Sequence, residues 1–266
     1  MRQDAASSPA SLPAARSVLV TGAGRGIGAA VAVLASQRGW DVAVNFARDE
    51  SSAARIAEAV QDAGRRSLLL RADVADDAQV RAMFAAVDAA QAEGRIAPLG
   101  GLVNNAGVVD VAARVDEMSP ARLQRMFAVN VLGSFYCARE AVRRMSTRHG
   151  GAGGAIVNLS SAAARLGSPG QYVDYAASKA AIDTFTLGLA REVASEGLRV
   201  NAVRPGIVET EIHACGGEPD RAARLAGQVP MGRAGTAAEI ARTILWLLSE
   251  EASYCTGSLV DASGGR

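Results

Sequence analysis

Short apolar runs rich in β-branched residues alternate along almost the whole chain with longer alanine-rich stretches, and that alternation leaves few folds open. SVLV (17–20), DVAVN (41–45), SLLL (67–70), GLVNN (101–105), AIVNLS (155–160), LRVNAVRP (198–205) and residues 258–261 read as strands. Helical patterns fill the gaps at 27–37, about 51–63, about 76–93, about 172–196 and about 237–248. A further long helix opens at Pro120, carries Asn130 and ends in the glycine run GGAGG. Strands this apolar are buried on both faces, which predicts a parallel sheet covered by helices on each side. No linker or shift in composition divides residues 16–266. The prediction is an α/β fold, one doubly wound parallel sheet of the Rossmann type in a single domain. Residues 1–15 are rich in Ala, Ser and Pro, lack the apolar stretch of a secretory signal, and read as a flexible tail.

Charge and cysteine usage narrow the function classes. The 28 basic and 27 acidic side chains leave a net charge of +1, which gives no electrostatic case for a nucleic-acid or anionic-membrane partner. No apolar run reaches the roughly 18 residues needed to span a bilayer. Cys137, Cys215 and Cys255 are widely spaced and odd in number, and His149 and His213 complete no metal-ligand pattern with them. The expectation is reduced thiols in a cytoplasmic protein without a bound metal.

Between the first strand and the first helix lies TGAGRGIG (21–28). Glycines there allow a tight turn and let backbone amides approach a pyrophosphate at the positive end of the helix. Gly22, Gly26, Ile27 and Gly28 are therefore candidate cofactor contacts, in the spacing G-x-x-x-G-x-G. An NAD site places an acid at the end of the second strand, where it accepts from the ribose 2′-hydroxyl and repels a 2′-phosphate. This strand ends VNFAR, which puts Asn45 in that place, with Ala47 and Arg48 after it and Arg25 within reach from the glycine loop. Two guanidinium groups and no carboxylate favour NADP(H), with NAD(H) possible, since Asp49 and Glu50 follow closely.

SPGQYVDYAASKAAI (168–182) holds two tyrosines and a lysine. On a helix, residues four apart share a face about 6 Å apart along the axis, so Tyr175 and Lys179 are neighbours while Tyr172 lies nearly two turns from the lysine. A free phenol, with pKa near 10, is a poor base at neutral pH. A lysine cation about 5 Å away, at an effective dielectric near 20, favours phenolate by roughly 3 kcal/mol, or about 2.4 pKa units. Such a tyrosine becomes a usable proton donor or acceptor. Ser160 and Ser161 end the fifth strand, on the sheet edge where ligands bind, and Asn130 is an awkward residue for a helix interior unless its side chain has a specific role.

In order, TGAGRGIG, Asp73-Val74, NNAG (104–107), Asn130, the serine, YAASK (175–179) and RPG (204–206) make the chain resemble a short-chain dehydrogenase/reductase, of the short single-domain branch. The resemblance runs from about Arg16 to Arg266. It implies Tyr175 as general acid/base, Lys179 as the residue that lowers the tyrosine pKa and holds the nicotinamide ribose, and Asn130 as the holder of a water that relays protons. It implies Ser161 as the substrate-binding serine, with Ser160 as the alternative, because the spacing to Tyr175 is slightly longer than the family's. Asp73 and Val74 would bracket adenine; Asn105, Ala106 and Gly107 would line the cofactor; Pro205, Gly206, Val208 and Thr210 would meet the nicotinamide. Relatives are commonly homotetramers built on the two long helices around Asn130 and Tyr175.

The expected activity is NADP(H)-dependent interconversion of a small-molecule carbonyl, ketone or aldehyde, and an alcohol. Family resemblance leaves the substrate open among a β-ketoacyl thioester, a sugar and a small ketone or aldehyde. The alternatives are an NAD-preferring sugar dehydrogenase and a catalytically idle NADP(H)-sensing protein on the same fold. The segment 208–229 is expected to close over the substrate, with His213 and Cys215 as loop filler.

Overall fold

The computed structural model describes residues 16–266, apart from the side chains of His213 and Cys215; the expected tail at 1–15 lies outside the described residues. Chain order is β1 (Ser17–Val20), α1 (Gly26–Gln37), β2 (Asp41–Phe46), α2 (Glu50–Asp62), β3 (Ser67–Arg71), α3 (Asp77–Ala92), β4 (Leu99–Asn104), α4 (Pro120–Phe127), α5 (Gly133–Met145), β5 (Gly154–Leu159), α6 (Ala163–Leu166) and α7 (Val173–Val193). Then come β6 (Leu198–Pro205), β7 (Val208–Glu209), α8 (Ile212–Cys215), α9 (Arg221–Leu225), β8 (Gly235–Thr236), α10 (Ala237–Leu248) and β9 (Leu259–Ala262).

Seven strands form one sheet in the order β3-β2-β1-β4-β5-β6-β9, with every pairing parallel. Strand alternation divides the core into two layers. Val18 and Val20 join Val42, Val44 and the inner faces of α1, α2 and α10. Leu19 and Ala43 point the other way, to α3, α5 and α7. Each of Val18, Leu19 and Val20 is 0% exposed, and full burial of such a side chain stabilises by about 1.5–3 kcal/mol. Burial on both faces is what the unbroken apolar strands imply, and it is observed. The order reverses between β1 and β4, which opens a crevice at the carboxyl ends of the strands, where doubly wound sheets bind ligands.

Two local differences from the sequence reading matter for the site. The helix from Pro120 is not uniform: residues Ala128–Leu132 widen into a π-helical turn between α4 and α5, and Asn130 sits in that turn. Segment 206–236 is not a plain loop. It carries α8 and α9, and its ends are tied together because β7 pairs with β8 in a small parallel ribbon. Such short elements lack the repeated apolar spacing that announces a helix or strand.

Candidate active site

A cleft of about 540 Å³ runs along the carboxyl ends of the strands. Its walls include Gly22, Arg25, Gly26, Ile27, Asn45, Ala47, Arg48, Asp73, Val74, Asn105, Ala106, Gly107, Ser161, Tyr175, Lys179, Pro205, Gly206, Val208 and Thr210. Sequence-expected residues scattered over 189 positions (Gly22 to Thr210, counted inclusively) are thus brought into one cavity. Gly28 and Asn130 stand behind the wall, for reasons that follow.

At one end, the start of α1 has no side-chain cap. Its N-cap, Arg25, makes no side-chain capping bond and the first turn holds no acid. By contrast Asp49, Asp76, Ser119 and Thr236 cap α2, α3, α4 and α10. Free amides at a helix N-terminus are an anion site, so the loop fits a pyrophosphate. Gly22 and Gly26 adopt φ of +63° and +56°, a backbone that only glycine takes without strain. Gly28 acts from behind. A Cβ there would lie 2.4 Å from Asn105 Nδ2 and 2.6 Å from the Gly22 carbonyl oxygen, so its bareness lets α1 close against the loop. Asn105 Nδ2 in turn donates to the carbonyls of Thr21 and Gly22, at 2.8 and 3.1 Å.

Asn45 does something other than face a ribose. It is 1% exposed. Its Oδ1 accepts from Gly22 N–H at 3.2 Å, and its Nδ2 donates to the carbonyls of Leu70 and Ala72 at 3.2 and 3.1 Å. The side chain therefore stitches the glycine loop to β2 and β3, and Ala47 and Arg48 line the cleft beside it. Asp49 caps α2 by accepting from Ser52 N–H and from the hydroxyls of Ser51 and Ser52; these bonds hold its carboxyl down at about 2. Val74 is fixed by Gly133, where a Cβ would meet its Cγ2 at 2.7 Å.

At the other end stand Ser161, Tyr175 and Lys179. The Ser161 and Tyr175 side chains both line the cleft, and the Ser161 hydroxyl acts to lower the phenol's pKa. Ser160 is 3% exposed and its hydroxyl donates to the Lys179 carbonyl at 3.1 Å, so it braces the helix rather than facing the cleft centre. Between serine and tyrosine the chain forms α6 and a bend with Ser168 at φ +47°. Lys179 Nζ lies 5.7 Å from the Tyr175 ring centroid and donates to the Leu159 carbonyl at 2.6 Å.

The electrostatics run opposite to the simple expectation. Burial holds the Tyr175 phenol above its ordinary value, and the Ser161 hydroxyl only partly offsets this. Burial also lowers Lys179, to about 8, while the Asp183 carboxylate pulls it back up. Asp183 is itself gripped by Arg204, through Nε and Nη2 at 3.0 and 2.8 Å.

Asn130 is 1% exposed. Its Oδ1 accepts from Val108 N–H at 2.8 Å, and its Nδ2 donates to the Val108 carbonyl at 3.0 Å and to the Ser178 hydroxyl at 3.1 Å. This side chain clamps the strand β4 exit to α7 and does not reach the cleft. Nearby, Arg122 grips Asp174 with Nε and Nη2 at 2.8 and 3.2 Å, fixing α4 against the first turn of α7 and so the placement of Tyr175. Tyr172, just before α7, is 6% exposed; its hydroxyl donates to Glu218 Oε1 at 3.1 Å, and the Arg221 guanidinium lies 5.0 Å from its ring. It packs under segment 206–236. Arg125, Arg221 and Arg266 also line the cleft, and sequence reasoning does not find them. Long-range folding, not spacing, delivers them there, so no local pattern announces their chemistry.

The family model described as enoyl-(acyl carrier protein) reductase matches residues 22–266. The chain belongs to the short-chain dehydrogenase/reductase family. The chain is thus of an oxidoreductase family, and solved members share its fold, one of them with NADP bound. An uncharacterized oxidoreductase, YgfF, of Escherichia coli (strain K12) is 51% identical over 248 residues, 93% of this chain and 98% of that one. The 3-oxoacyl-[acyl-carrier-protein] reductase FabG of Staphylococcus aureus (strain Mu50 / ATCC 700699) is 35% identical over 250 residues, 94% of this chain and 97% of its own. The solved structure of the angucycline C-6 ketoreductase LanV with bound NADP superposes with a TM-score of 0.84 at 33% identity, covering 94% of this chain and 95% of that one. Among the described residues no helix is long and apolar enough to cross a membrane.

Proposed function

We propose that this short-chain dehydrogenase/reductase interconverts a small-molecule carbonyl and an alcohol, with NADP(H) as the preferred cofactor and Tyr175 as the general acid/base. The observation that carries the reading is the convergence of Ser161, Tyr175 and Lys179 on one cleft, with Lys179 Nζ 5.7 Å from the Tyr175 ring centroid and the uncapped start of α1 at the far end.

When bound, the nicotinamide supplies or accepts the hydride. This chain's residues do the rest. Ser161 orients the substrate oxygen beside the phenol, and Tyr175, kept protonated at neutral pH by burial, donates its proton as the oxygen gains charge. Lys179 holds the ribose and stabilises the phenolate that remains. Asn130 keeps α7 and the Val108 segment in register. Arg48 and Arg25 favour a 2′-phosphate, with Asp49 turned to its helix cap. The relatives support the reading: FabG is named for reducing a 3-oxoacyl group, and LanV for ketoreduction with NADP. The test is NADPH oxidation followed at 340 nm against a panel of ketones and aldehydes, with Tyr175→Phe as the control; turnover by that variant as fast as the native protein's refutes the assignment.

A further inference from the structure

Six of the charged residues on the cleft walls are cationic (Arg25, Arg48, Arg125, Lys179, Arg221 and Arg266) and three are acidic (Asp49, Asp73 and Glu211). Arg25 and Arg48 belong to the cofactor end, and Lys179 to the reacting centre. Of the arginines near the substrate end, Arg221 already has its donors engaged, with Glu218 Oε1 at 3.0 Å and Gln171 Oε1 at 2.8 Å. Arg125 is exposed. Arg266 differs from both. Its Nη1 is buried and has no hydrogen-bond partner among the described residues.

The placement of Arg266 is built rather than frayed. Its main-chain oxygen accepts from Ser263 Oγ at 2.9 Å and from Arg165 Nη2 at 3.0 Å. Arg165 extends from α6, directly after the serine pair. The turn before Arg266 is held on the substrate segment, because Gly264 O accepts from Met231 N–H at 3.1 Å. A Cβ on Gly264 would lie 2.6 Å from Val229 Cγ1, so glycine is what lets the two segments meet. A guanidinium nitrogen removed from water with no acceptor is costly, and a fixed backbone keeps it there. In a cleft of net positive charge, an oxyanion on the bound molecule satisfies it.

We propose that Arg266 is a specificity-determining residue that selects carbonyl substrates carrying an anionic oxygen group, a carboxylate or a phosphate. The inference rests on the carbonyl/alcohol reading of the same cleft and names the substrate class within it. The ion pair adds ground-state affinity for the anion-bearing substrate, so it acts on KM more than on kcat.

The test measures binding and turnover on the full chain saturated with NADP⁺ or NADPH. Calorimetric titration into the NADP⁺ complex compares 4-oxopentanoate with its methyl ester, and dihydroxyacetone phosphate with dihydroxyacetone. The native protein is expected to bind at least one anion about tenfold or more tightly than its neutral counterpart, and the pair that shows it tells carboxylate from phosphate. Arg266→Met should weaken that anion by about 10- to 100-fold, and leave the neutral compound and NADPH unchanged. Arg266→Lys, which keeps the charge but not the fork, should recover part of the loss and verifies that the position tolerates change. Neutral and anionic partners binding alike, or Arg266→Met weakening both equally, overturns the proposal. Anion selectivity that persists without turnover of any carbonyl compound by NADPH would instead sink the oxidoreductase reading and leave the role of Arg266 standing.

Discussion

Gly28→Ala isolates the contribution of backbone closeness to the cofactor loop. The added Cβ would stand 2.4 Å from Asn105 Nδ2, 2.6 Å from the Gly22 carbonyl oxygen and 3.1 Å from Ala23 Cα. Two of these neighbours are backbone atoms, so relief must come from moving α1 or from expelling the Asn105 amide from its bonds to Thr21 and Gly22. Over-packing costs about 1–3 kcal/mol and an unpaired buried amide about as much again, which together make roughly 2–6 kcal/mol. For a chain of this size that lowers Tm by roughly 4–24 °C. Gly188→Ala is the matched control. It lies inside α7 with nothing within 4 Å of the new Cβ, and should stabilise by about 0.5–1 kcal/mol. Thermal unfolding followed by circular dichroism, with NADPH titration by fluorescence, reads both effects. Gly28→Ala with unchanged Tm and NADPH affinity would refute the argument that this glycine is required by close approach.

The serines should separate cleanly: Ser161→Ala should cut carbonyl reduction by about 10²–10³-fold, whereas Ser160→Ala, losing a bond to the Lys179 carbonyl, should cost about 1 kcal/mol of stability and little turnover. Stability comes from urea unfolding and activity from the NADPH assay. Lys179, lowered by burial to about 8 from 10.5, loses its charge as pH rises through about 8, so reductase activity should fall there and Lys179→Arg should flatten the fall over pH 7–10. By the same shift, the buried cation opposes folding fully below about pH 8, and that cost is relieved as pH rises toward 10.5. NADPH should bind more tightly than NADH by about 1–3 kcal/mol, and Arg48→Ala should shrink the gap; equal affinities in the native protein contradict this. Phe127, Leu132, Phe135 and Leu187 leave exposed apolar surface around α4, α5 and α7, with Phe135 stacked on Phe185 at 3.8 Å; if that surface is an assembly face, light scattering should show a tetramer rather than a monomer.

The strands and most helices are legible in sequence because burial on both faces of the sheet leaves an unmistakable apolar record. The Tyr175–Lys179 pair is legible too, since four residues on a helix is fixed geometry. Choosing between Ser160 and Ser161 is not, because it turns on which hydroxyl the strand end directs at Lys179 and which at Tyr175. Asn45 is legible in place but not in function. Its position along β2 puts it at the cofactor end, yet pleat alternation turns its amide inward to hold Gly22, Leu70 and Ala72. Asn130 stands out in the sequence as unusual, but its π-helical turn and its clamp on Val108 need tertiary contacts to be seen. Arg266 carries no local signal at all, since its place depends on the contact of Gly264 with Val229.

The central claim is that Tyr175, not Tyr172, moves the proton. The two phenols lie three residues apart and differ in partner: Ser161 for Tyr175, Glu218 for Tyr172. The direct measurement is the ratio of kcat/KM for Tyr172→Phe to that for Tyr175→Phe, in one NADPH-dependent ketone assay, with cofactor binding checked for each. Tyr175→Phe should bind NADPH normally and lose about 10²–10⁴-fold in reduction, while Tyr172→Phe should lose at most about tenfold, mainly through KM. A ratio near one, whether both variants are dead or both active, would contradict the assignment of the proton to Tyr175.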